Sequence, residues 1–366
     1  MTLIVGYTIN CCPVLLGDVL LSQQKPVGGD ISVPTWHNDQ LAPRENPLRM
    51  TGLVQKINII SDHVCMAWAG SHIRAQTIAR ELRDHVAQHG ANAAKLGAFL
   101  NTYDRADLRD LESIIYVVED GILKPFHLRA PAYEIDGWTL QSGGTGVEHF
   151  ISKFGHFFKL PAADDRSEAA VVGPGLSYIA AAFGEQLFTG GGLAEGWGGA
   201  FELATFRQGR FQKLDDILYV FWSAQKHADE SITVGLYPSL VKTNYFGDTL
   251  AVHVSDQTGA RPQTRIYNVA PLGQADEARH QVPLTYSYLI NYFFIERNDG
   301  AATAATIVTK DSHVAGFRVE RNANGIELQF DDLFVRRLCA QAFGPGTVIT
   351  PARAMGSPHQ PFDNDI

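Results

Sequence analysis

The sequence lacks several signals that would place it in a specialised class of protein. Cysteine is scarce: the 366 residues contain four, at positions 11, 12, 65 and 339, and their spacing matches no metal site. No apolar stretch approaches the length of a membrane span. Positive charge is in deficit, since the formal net charge is −9. These absences argue against a metal centre, a disulfide scaffold, a membrane partner and general nucleic-acid binding, and they predict a reduced, cytoplasmic protein.

What the chain does contain is an ordinary globular composition. Hydrophobic residues make up 45% and charged residues 19%, which is enough apolar material for one large or two smaller domains. No Lys or Arg precedes Lys25, so the basic region of a secretory signal is missing from the apolar start. The start is therefore predicted to belong to the folded protein.

The second residue, Thr2, is the first candidate for chemistry. Removal of Met1 before this small residue would leave a hydroxyl and a free amine on one terminal residue, which is a nucleophile that carries its own base. Residues 2–9 and 14–21 read as two strands around a turn at 10–13. Partners in that hairpin have numbers that sum to about 22. Thr2 is therefore predicted to lie beside Asp18, within two residues.

A second predicted hairpin brings two more candidates to strand ends. Its strands are residues 56–61 and 64–69, so that it opens with Lys56 and ends at Gly70. Functional sites are commonly built from charged residues and glycines at the ends of strands. Structural roles remain open at this point, because a lysine can protect an edge strand and a glycine can simply turn the chain.

Five short motifs together resemble the β-subunits of proteasomes. In chain order they are Thr2-x-x-Val5-Gly6, Gly17-Asp18, Lys56 before an apolar strand, Ala69-Gly70 and Gln141-Ser142-Gly143-Gly144. In style the chain is most similar to the short bacterial proteasome-like threonine peptidases, which also start with Met-Thr. The resemblance covers about residues 2–225.

The resemblance implies a role for each matching residue. Thr2 would be the nucleophile, Asp18 would hold Lys56 charged and oriented, and Lys56 would disfavour protonation of the terminal amine. The Gly70 amide would donate to the oxyanion, and Ser142 would complete the proton network. No metal or organic cofactor is needed for this chemistry.

The sequence departs from the family in a later loop. Members usually place an acid and a serine near the nucleophile, where this chain has residues 195–199. Glu195 is expected to take the place of the acid, but Gly198 cannot supply a hydroxyl. Carried over without gaps from Lys56, the wall of the substrate pocket would be formed by Val54, Asn58, Trp68, His72 and Gln76.

The expected fold is α+β, a four-layer αββα sandwich of the N-terminal-nucleophile hydrolase type with a β-rich C-terminal appendage. The order of elements supports it, with helices predicted over 71–88, 92–103, 146–158, 168–188 and 214–225. A Gly-Pro-Gly at 173–175 is expected to kink or split the fourth helix. The predicted domains are 2–225 with a long loop at 22–52, a strand-rich unit at 231–345, and a tail at 346–366.

Three functions stay open at this stage. The first is a threonine-type peptidase that cleaves amide bonds through an acyl-enzyme on Thr2. The second is a small-molecule amidohydrolase of the same fold, and the third is a non-catalytic shell or scaffold subunit. The resemblance further implies a homo-oligomer, as a ring or spiral, with a peptide or amide substrate.

Overall fold

The computed structural model describes most of the chain. The described residues are 2–24, 31–35, 48–104, 106, 108–135, 138–157, 167–235, 237–256, 263–274, 281–310, 314–322, 325–345 and 348–351. Most of the predicted loop 22–52 and most of the predicted tail lie outside these residues.

The first part of the chain alternates strands with four helices. In chain order its elements are β1 (Leu3–Ile9), β2 (Cys12–Asp18), β3 (Leu20–Gln24), β4 (Leu48–Leu53), β5 (Ile57–Ser61), β6 (Val64–Gly70), α1 (His72–His89), α2 (Ala93–Leu100), β7 (Leu111–Glu119), β8 (Ile122–Leu128), β9 (Ala132–Ile135), β10 (Trp138–Gly144), α3 (Val147–Phe157), α4 (Glu168–Thr189), β11 (Phe201–Arg207) and β12 (Arg210–Lys213).

The second part is almost entirely strands. Its elements are β13 (Ile217–Lys226), β14 (Ile232–Val234), β15 (Ser239–Phe246), β16 (Thr249–Asp256), β17 (Gln263–Val269), β18 (Tyr288–Arg297), β19 (Ala302–Thr309), β20 (Phe317–Asn322), β21 (Gly325–Phe330), α5 (Asp332–Phe343) and β22 (Ile349–Pro351). The predicted hairpin turning at 322–325 is confirmed by β20 and β21.

Two sheets of the first part pack face to face. One has the strand order β12-β11-β2-β1-β10-β9 and the other β5-β6-β7-β8. Apolar side chains from both sheets fill the space between them, among them Ile4, Leu15, Ile57, Ala67, Ile114 and Ala204. Helix α1 covers the outer face of the second sheet and buries one stripe at the spacing of an amphipathic helix: Ala75, Ile78, Ala79, Leu82 and Val86.

The first hairpin has nearly the predicted register. Asn10 and Cys11 both have positive φ, the signature of a two-residue type I′ turn, which matches the natural twist of paired strands. Ile4 is then opposite Gly17, so paired numbers sum to 21. Thr2 therefore reaches the end of β2 beside Asp18, as the hairpin prediction required.

Helix α4 is covered on both sides. Its residues pack in one apolar cluster with β1 and β2 of the six-stranded sheet and with β13, β16 and β18 of an eight-stranded sheet. Gly175 touches the first sheet, where an added Cβ would meet Leu203 at 2.6 Å. Gly184 touches the second, where a Cβ would lie 2.3 Å from the Tyr292 ring. The two glycines are about two and a half turns apart, so they lie on opposite helix faces.

The predicted four-layer αββα sandwich is wrong for this chain. Strands account for 48% of the structure and helices for 24%, with five sheets and five helices among the described residues. The prediction made residues 168–188 an outer helix, which needs a polar face. Helix α4 instead lies between two sheets and continues through Pro174 as one helix, so the predicted split is also absent.

The predicted helix at 214–225 is a strand. It is β13, which pairs with β14, β15 and β18 inside the eight-stranded sheet. Alternate residues enter different cores: Ile217 and Tyr219 face α4, whereas Leu218 and Val220 face the layer formed by β20, β21 and α5. A strand buried on both faces reads as a continuous apolar run, which periodicity cannot distinguish from a buried helix.

None of the helices within the described ranges is both long and apolar enough to cross a membrane.

The predicted domain boundary near residue 225 would divide β13 from its partner strands. The boundary nevertheless stays a prediction about which part of the chain folds alone.

Substitution of Gly184 tests the close approach of α4 to the eight-stranded sheet. We expect Gly184→Ala to lower the free energy of unfolding by about 1–3 kcal/mol, because the new methyl group overlaps the Tyr292 ring. Gly173→Ala in the same helix is the matched control, since its added Cβ meets nothing within 4 Å. There the better helix former should stabilise by up to about 1 kcal/mol. Equal effects in urea unfolding would contradict the packing described.

Candidate active site

The hydroxyl of Thr2 is held by Asp18. Thr2 Oγ1 donates a short hydrogen bond to Asp18 Oδ1, and both side chains are completely buried. The Leu3 amide donates to the same oxygen at 3.1 Å, so the carboxylate also fixes the backbone directly after Thr2. The register of the first hairpin places these groups together, because Asp18 ends β2 where β1 begins.

The second oxygen of Asp18 is bound by the loop that departs from the family pattern. The Gly198 amide donates to Asp18 Oδ2 at 2.8 Å. Gly198 has φ +110, and a Cβ there would lie 2.0 Å from the Gln186 side chain, so only glycine brings this amide to the carboxylate. Gly198 has no hydroxyl, but its N–H group contributes to the site as a donor to Asp18.

Lys56 brings a buried positive charge to Asp18. Its side chain is fully buried, and its Nζ makes no hydrogen bond within the described part of the chain. The ammonium lies 4.2 Å from the centroid of the Trp68 ring, a cation–π distance. Because Gly17 has no side chain, β2 approaches the base of Lys56: a Cβ on Gly17 would meet Lys56 Cβ at 3.1 Å.

Burial dominates the titration of both charged groups. Desolvation lowers the pKa of Lys56 to about 8, although the charges of Asp18 and Glu202 act in the opposite direction. Desolvation likewise raises the pKa of Asp18, against the charge of Lys56 and the hydrogen bonds from Thr2, Gly198 and Leu3. A lysine with that pKa is mostly protonated at pH 7 and can lose its proton at mildly alkaline pH.

Two glycines shape the backbone around Thr2 and the end of β6. Gly144 has φ +92, and a Cβ there would lie 2.0 Å from the Thr2 carbonyl oxygen. That carbonyl accepts from the Gly146 amide at 3.2 Å. Gly70, the predicted oxyanion donor, has φ +95 at the exposed end of β6, and a Cβ there would collide with the Asp110 carbonyl. Glycine is thus required at both positions.

Ser142 and Glu195 do not join the hydrogen bonds around Thr2. Ser142 lies opposite Val5 in β10, and its buried hydroxyl has no hydrogen-bond partner among the residues described. Glu195 is exposed at the end of a short 3₁₀ turn, where its carboxylate accepts from the Trp197 indole at 2.9 Å. The carboxyl group that the resemblance assigned to Thr2 therefore binds tryptophan.

The predicted pocket wall is partly covered by the chain after β17. Val54 and Trp68 are buried in one cluster with Leu272. A Cβ on Gly273 would lie 2.7 Å from the Gln76 side chain, so Gly273 approaches a second part of the wall. His72 is half-buried with its ring 5.9 Å from that of Trp68.

Asn58, the remaining wall residue, borders an open cavity. The cavity has a volume of about 560 Å³ and is also lined by Gln55, Lys213, Tyr245 and Pro271. Asn58 is buried, and its Nδ2 makes no hydrogen bond to any described group. Thr2 and Lys56 are not among the described residues that line this cavity.

Sequence reasoning missed a second buried carboxylate at the site. Glu202 of β11 accepts hydrogen bonds from the amides of Lys56 and Ile57, at 2.6 Å and 3.2 Å. The signal that could have identified Glu202 was an acidic residue inside the largely apolar run 200–206.

No cluster of three His, Cys, Asp or Glu side chains able to hold a metal ion occurs in the described ranges.

No protein-family model matches the chain, and no curated protein sequence matches it.

The pH dependence of the free energy of unfolding should reflect the titration of Lys56. The pKa is about 8 in the folded protein and about 10.4 in an unfolded chain, so between these values the unfolded state binds more protons. The free energy of unfolding should therefore rise with pH across this window, by up to about 1.4 kcal/mol per pH unit, and this contribution is lost as pH falls through 8.

Lys56→Met is the variant that isolates this effect. The stability of wild type relative to Lys56→Met should increase from pH 8 to pH 10 in guanidinium unfolding. A pH-independent difference would show that the pKa of Lys56 is the same in the folded protein as in the unfolded chain, which would contradict the shift described.

Proposed function

We propose that this chain is a threonine-type N-terminal-nucleophile hydrolase that cleaves amide bonds in peptides. The observation that carries the proposal is the buried group of Thr2, Asp18 and Lys56, in which the threonine hydroxyl is bound to a carboxylate that faces a lysine. The proposal rests on these side chains and on the order of the motifs, and it does not depend on the four-layer fold.

The group has features that a structural role does not require. A carboxylate and an ammonium buried in the interior cost several kcal/mol each, and a hydrophobic pair of similar size would often be at least as stable. Here the two charges are placed beside a hydroxyl on the second residue of the chain. Strongly shifted pKa values around a nucleophile are typical of catalytic sites.

Removal of Met1 supplies the base in the proposed mechanism. While Met1 is attached, the Thr2 nitrogen is an amide and cannot accept a proton. Once it is free, the amine takes the hydroxyl proton as Thr2 Oγ1 attacks the substrate carbonyl. The amine then gives the proton to the leaving nitrogen as the C–N bond breaks. Water hydrolyses the resulting ester, which releases the acid and restores Thr2.

The other residues assist this reaction in the proposal. The positive charge of Lys56 disfavours a second positive charge on the Thr2 amine and so keeps that amine available as a base. Asp18 holds the hydroxyl and the backbone at Leu3. The Gly70 amide is the proposed donor to the oxyanion, and its glycine-only backbone geometry is compatible with such a role.

A small-molecule amide is the second candidate substrate. The observation that favours it is the coverage of Val54 and Trp68 by Leu272, which leaves less room for an extended peptide. Comparing hydrolysis of acyl amides with that of peptides of increasing length separates the two candidates. An increase in kcat/KM with peptide length supports the peptidase, because additional subsites would then contribute binding energy.

The proposal has three further parts. The chain would belong to the proteasome β family, it would assemble into a homo-oligomeric ring or spiral, and it would be located in the cytoplasm. The family and the assembly rest on the motif resemblance. Free cysteines at 11, 12, 65 and 339 support a reducing compartment.

Thr2→Ala should abolish amide hydrolysis and covalent labelling by an electrophilic peptide. Fold and assembly should persist, because the lost hydroxyl contributes about 1 kcal/mol of stability. Thr205→Ala is the matched control: Thr205 is also buried, with its hydroxyl on the Pro13 carbonyl, but it lies within β11. Intact-mass spectrometry measures both the label and the removal of Met1.

Two outcomes would reject the catalytic assignment. Undiminished turnover by Thr2→Ala would exclude Thr2 as the nucleophile. Retention of Met1 in the purified native protein would leave Thr2 without a free amine and would favour the scaffold function.

Lys56→Arg should lower kcat/KM by about 100-fold or more. Lys56 is fully buried against Trp68, so the larger planar guanidinium does not fit and its charge would be displaced from Asp18 and the Thr2 amine. Lys153→Arg is the control at a lysine paired with Glu185 and partly open to solvent. Near-normal activity of Lys56→Arg would mean that a positive charge alone suffices.

A further inference from the structure

Glu202 connects the backbone of Lys56 to a second, largely buried lysine, Lys213. The Glu202 side chain is completely buried. Its Oε2 accepts from the amides of Lys56 and Ile57, at 2.6 Å and 3.2 Å, and its Oε1 accepts from Lys213 Nζ at 2.6 Å and the Tyr245 hydroxyl at 3.0 Å. Four hydrogen bonds satisfy the carboxylate, so its charge is stabilised without contact with water.

The charges around Lys56 are balanced by this arrangement. Asp18 and Glu202 are negative, while Lys56 and Lys213 are positive. Lys213 is largely buried and also donates to the side-chain oxygen of Gln55, the residue before Lys56. A lone Glu202 would leave an excess of negative charge in the interior, and Lys213 offsets it.

The eight-stranded sheet contributes directly to this network. Tyr245 lies on β15 and donates to Glu202 from there. The Gln55 side chain donates to the carbonyls of Asp248 and Val269, both at 2.6 Å, and the Gln55 amide donates to the Ala270 carbonyl at 3.1 Å. The chain immediately before Lys56 is therefore fixed by residues that the resemblance does not cover.

We propose that Glu202 is a positioning residue that holds Lys56 in place and keeps its amine charged for the reaction at Thr2. Lys213 and the Tyr245 hydroxyl hold Glu202 in turn, which makes the C-terminal sheet part of the catalytic machinery. This inference rests on the proposed function, because it assigns Lys56 a role in hydrolysis.

The sign of the effect follows from the groups that face Lys56. Asp18 and Glu202 raise the pKa of Lys56, while burial lowers it to about 8. The neighbouring His72 has a pKa lowered by burial and by the charge of Lys56, so it does not titrate at alkaline pH. The pKa of Tyr245 lies well above 10, and that of Cys65 near Lys213 is raised to about 12. Lys56 and, once Met1 is removed, the Thr2 α-amine, whose reference pKa is about 8, are thus the groups expected to titrate near pH 8. Loss of the proton from the amine should raise activity, whereas loss of the proton from Lys56 should lower it and so produce the alkaline limb.

Replacing Glu202 by glutamine should lower the pH at which activity is lost. With the negative charge removed, the ammonium of Lys56 loses its proton at lower pH. In Glu202→Gln we expect the alkaline limb of Thr2 labelling by an electrophilic peptide to move down by roughly one pH unit. The rate at pH 7.5 should fall about threefold, because the protonated fraction of Lys56 drops by that factor when its pKa moves from about 8 to about 7. Tyr245→Phe should shift the limb in the same direction by less.

Glu185→Gln is the matched control. Glu185 is a partly buried carboxylate bound to His149 and Lys153, and the carboxylates whose charges act on Lys56 are Asp18 and Glu202. Its variant should label Thr2 with the wild-type pH profile. A second readout that needs no activity is the NMR titration of lysine labelled with ¹³C at Cε, with the Lys56 signal assigned from Lys56→Met.

The outcomes separate the two proposals. An unchanged pH profile and an unchanged Lys56 titration in Glu202→Gln would overturn the positioning role, even if the rate falls. Should Glu202→Gln not fold, an unshifted profile in Tyr245→Phe together with Lys213→Gln would overturn it equally. If wild type is never labelled at Thr2, the proposed function fails, and the NMR titration still reports whether Glu202 maintains the charge of Lys56.

Discussion

The structure depends on keeping water away from charges that lie between its sheets. Asp18, Lys56 and Glu202 are buried where the six-stranded and four-stranded sheets meet, and desolvation dominates the pKa shifts of Asp18 and Lys56. Such charges persist only when neighbouring dipoles and opposite charges replace water. Backbone amides at Leu3, Lys56, Ile57 and Gly198 provide that replacement. The strand register and the glycines are thereby tied to the electrostatics of the site.

The second half of the chain completes this enclosure from two directions. On one side, the eight-stranded sheet packs on α4, which packs on the sheet that carries Thr2 and Asp18. On the other side, Tyr245 donates to Glu202, and the carbonyls of Asp248, just before β16, and of Val269, at the end of β17, accept from Gln55. Removing the strands after β13 would expose the apolar helix α4 and would also take one donor, the Tyr245 hydroxyl, from the buried Glu202 carboxylate. The boundary at residue 225 stays a prediction about which part folds alone, and the proposed chemistry would draw on residues beyond it.

Local features of the chain were predictable, whereas the layer order was not. The first hairpin follows from two short apolar runs and a turn, which fixed Thr2 beside Asp18 within one register step. The capped helix α1 follows from Ser71 and a regular apolar stripe. The predicted fold class was wrong because two elements are buried on both sides and therefore lack amphipathic periodicity. Helix α4 and strand β13 are apolar all round because each lies between two layers, and a single sequence does not say which layer covers them.

The site shows the same division between local and long-range information. Thr2 and Asp18 lie at the ends of the first hairpin and Lys56 directly precedes the β5–β6 hairpin, so short-range pairing together with the order of the motifs was enough to nominate them. Glu202 reaches Lys56 across a sequence separation of 146 residues, and no local pattern distinguishes it from a carboxylate at a strand edge.

The loop at 195–199 shows why a motif match was insufficient there. The comparison of motifs considered only side chains that could replace the family's acid and hydroxyl, and it therefore pointed to Glu195. The structure uses the Gly198 amide instead, because its left-handed backbone points an N–H group at Asp18 Oδ2. A backbone N–H donor requires a particular backbone conformation and not a particular side chain. Gly198, which lacks the hydroxyl that the motif calls for, is therefore the residue that allows the hydrogen bond to Asp18.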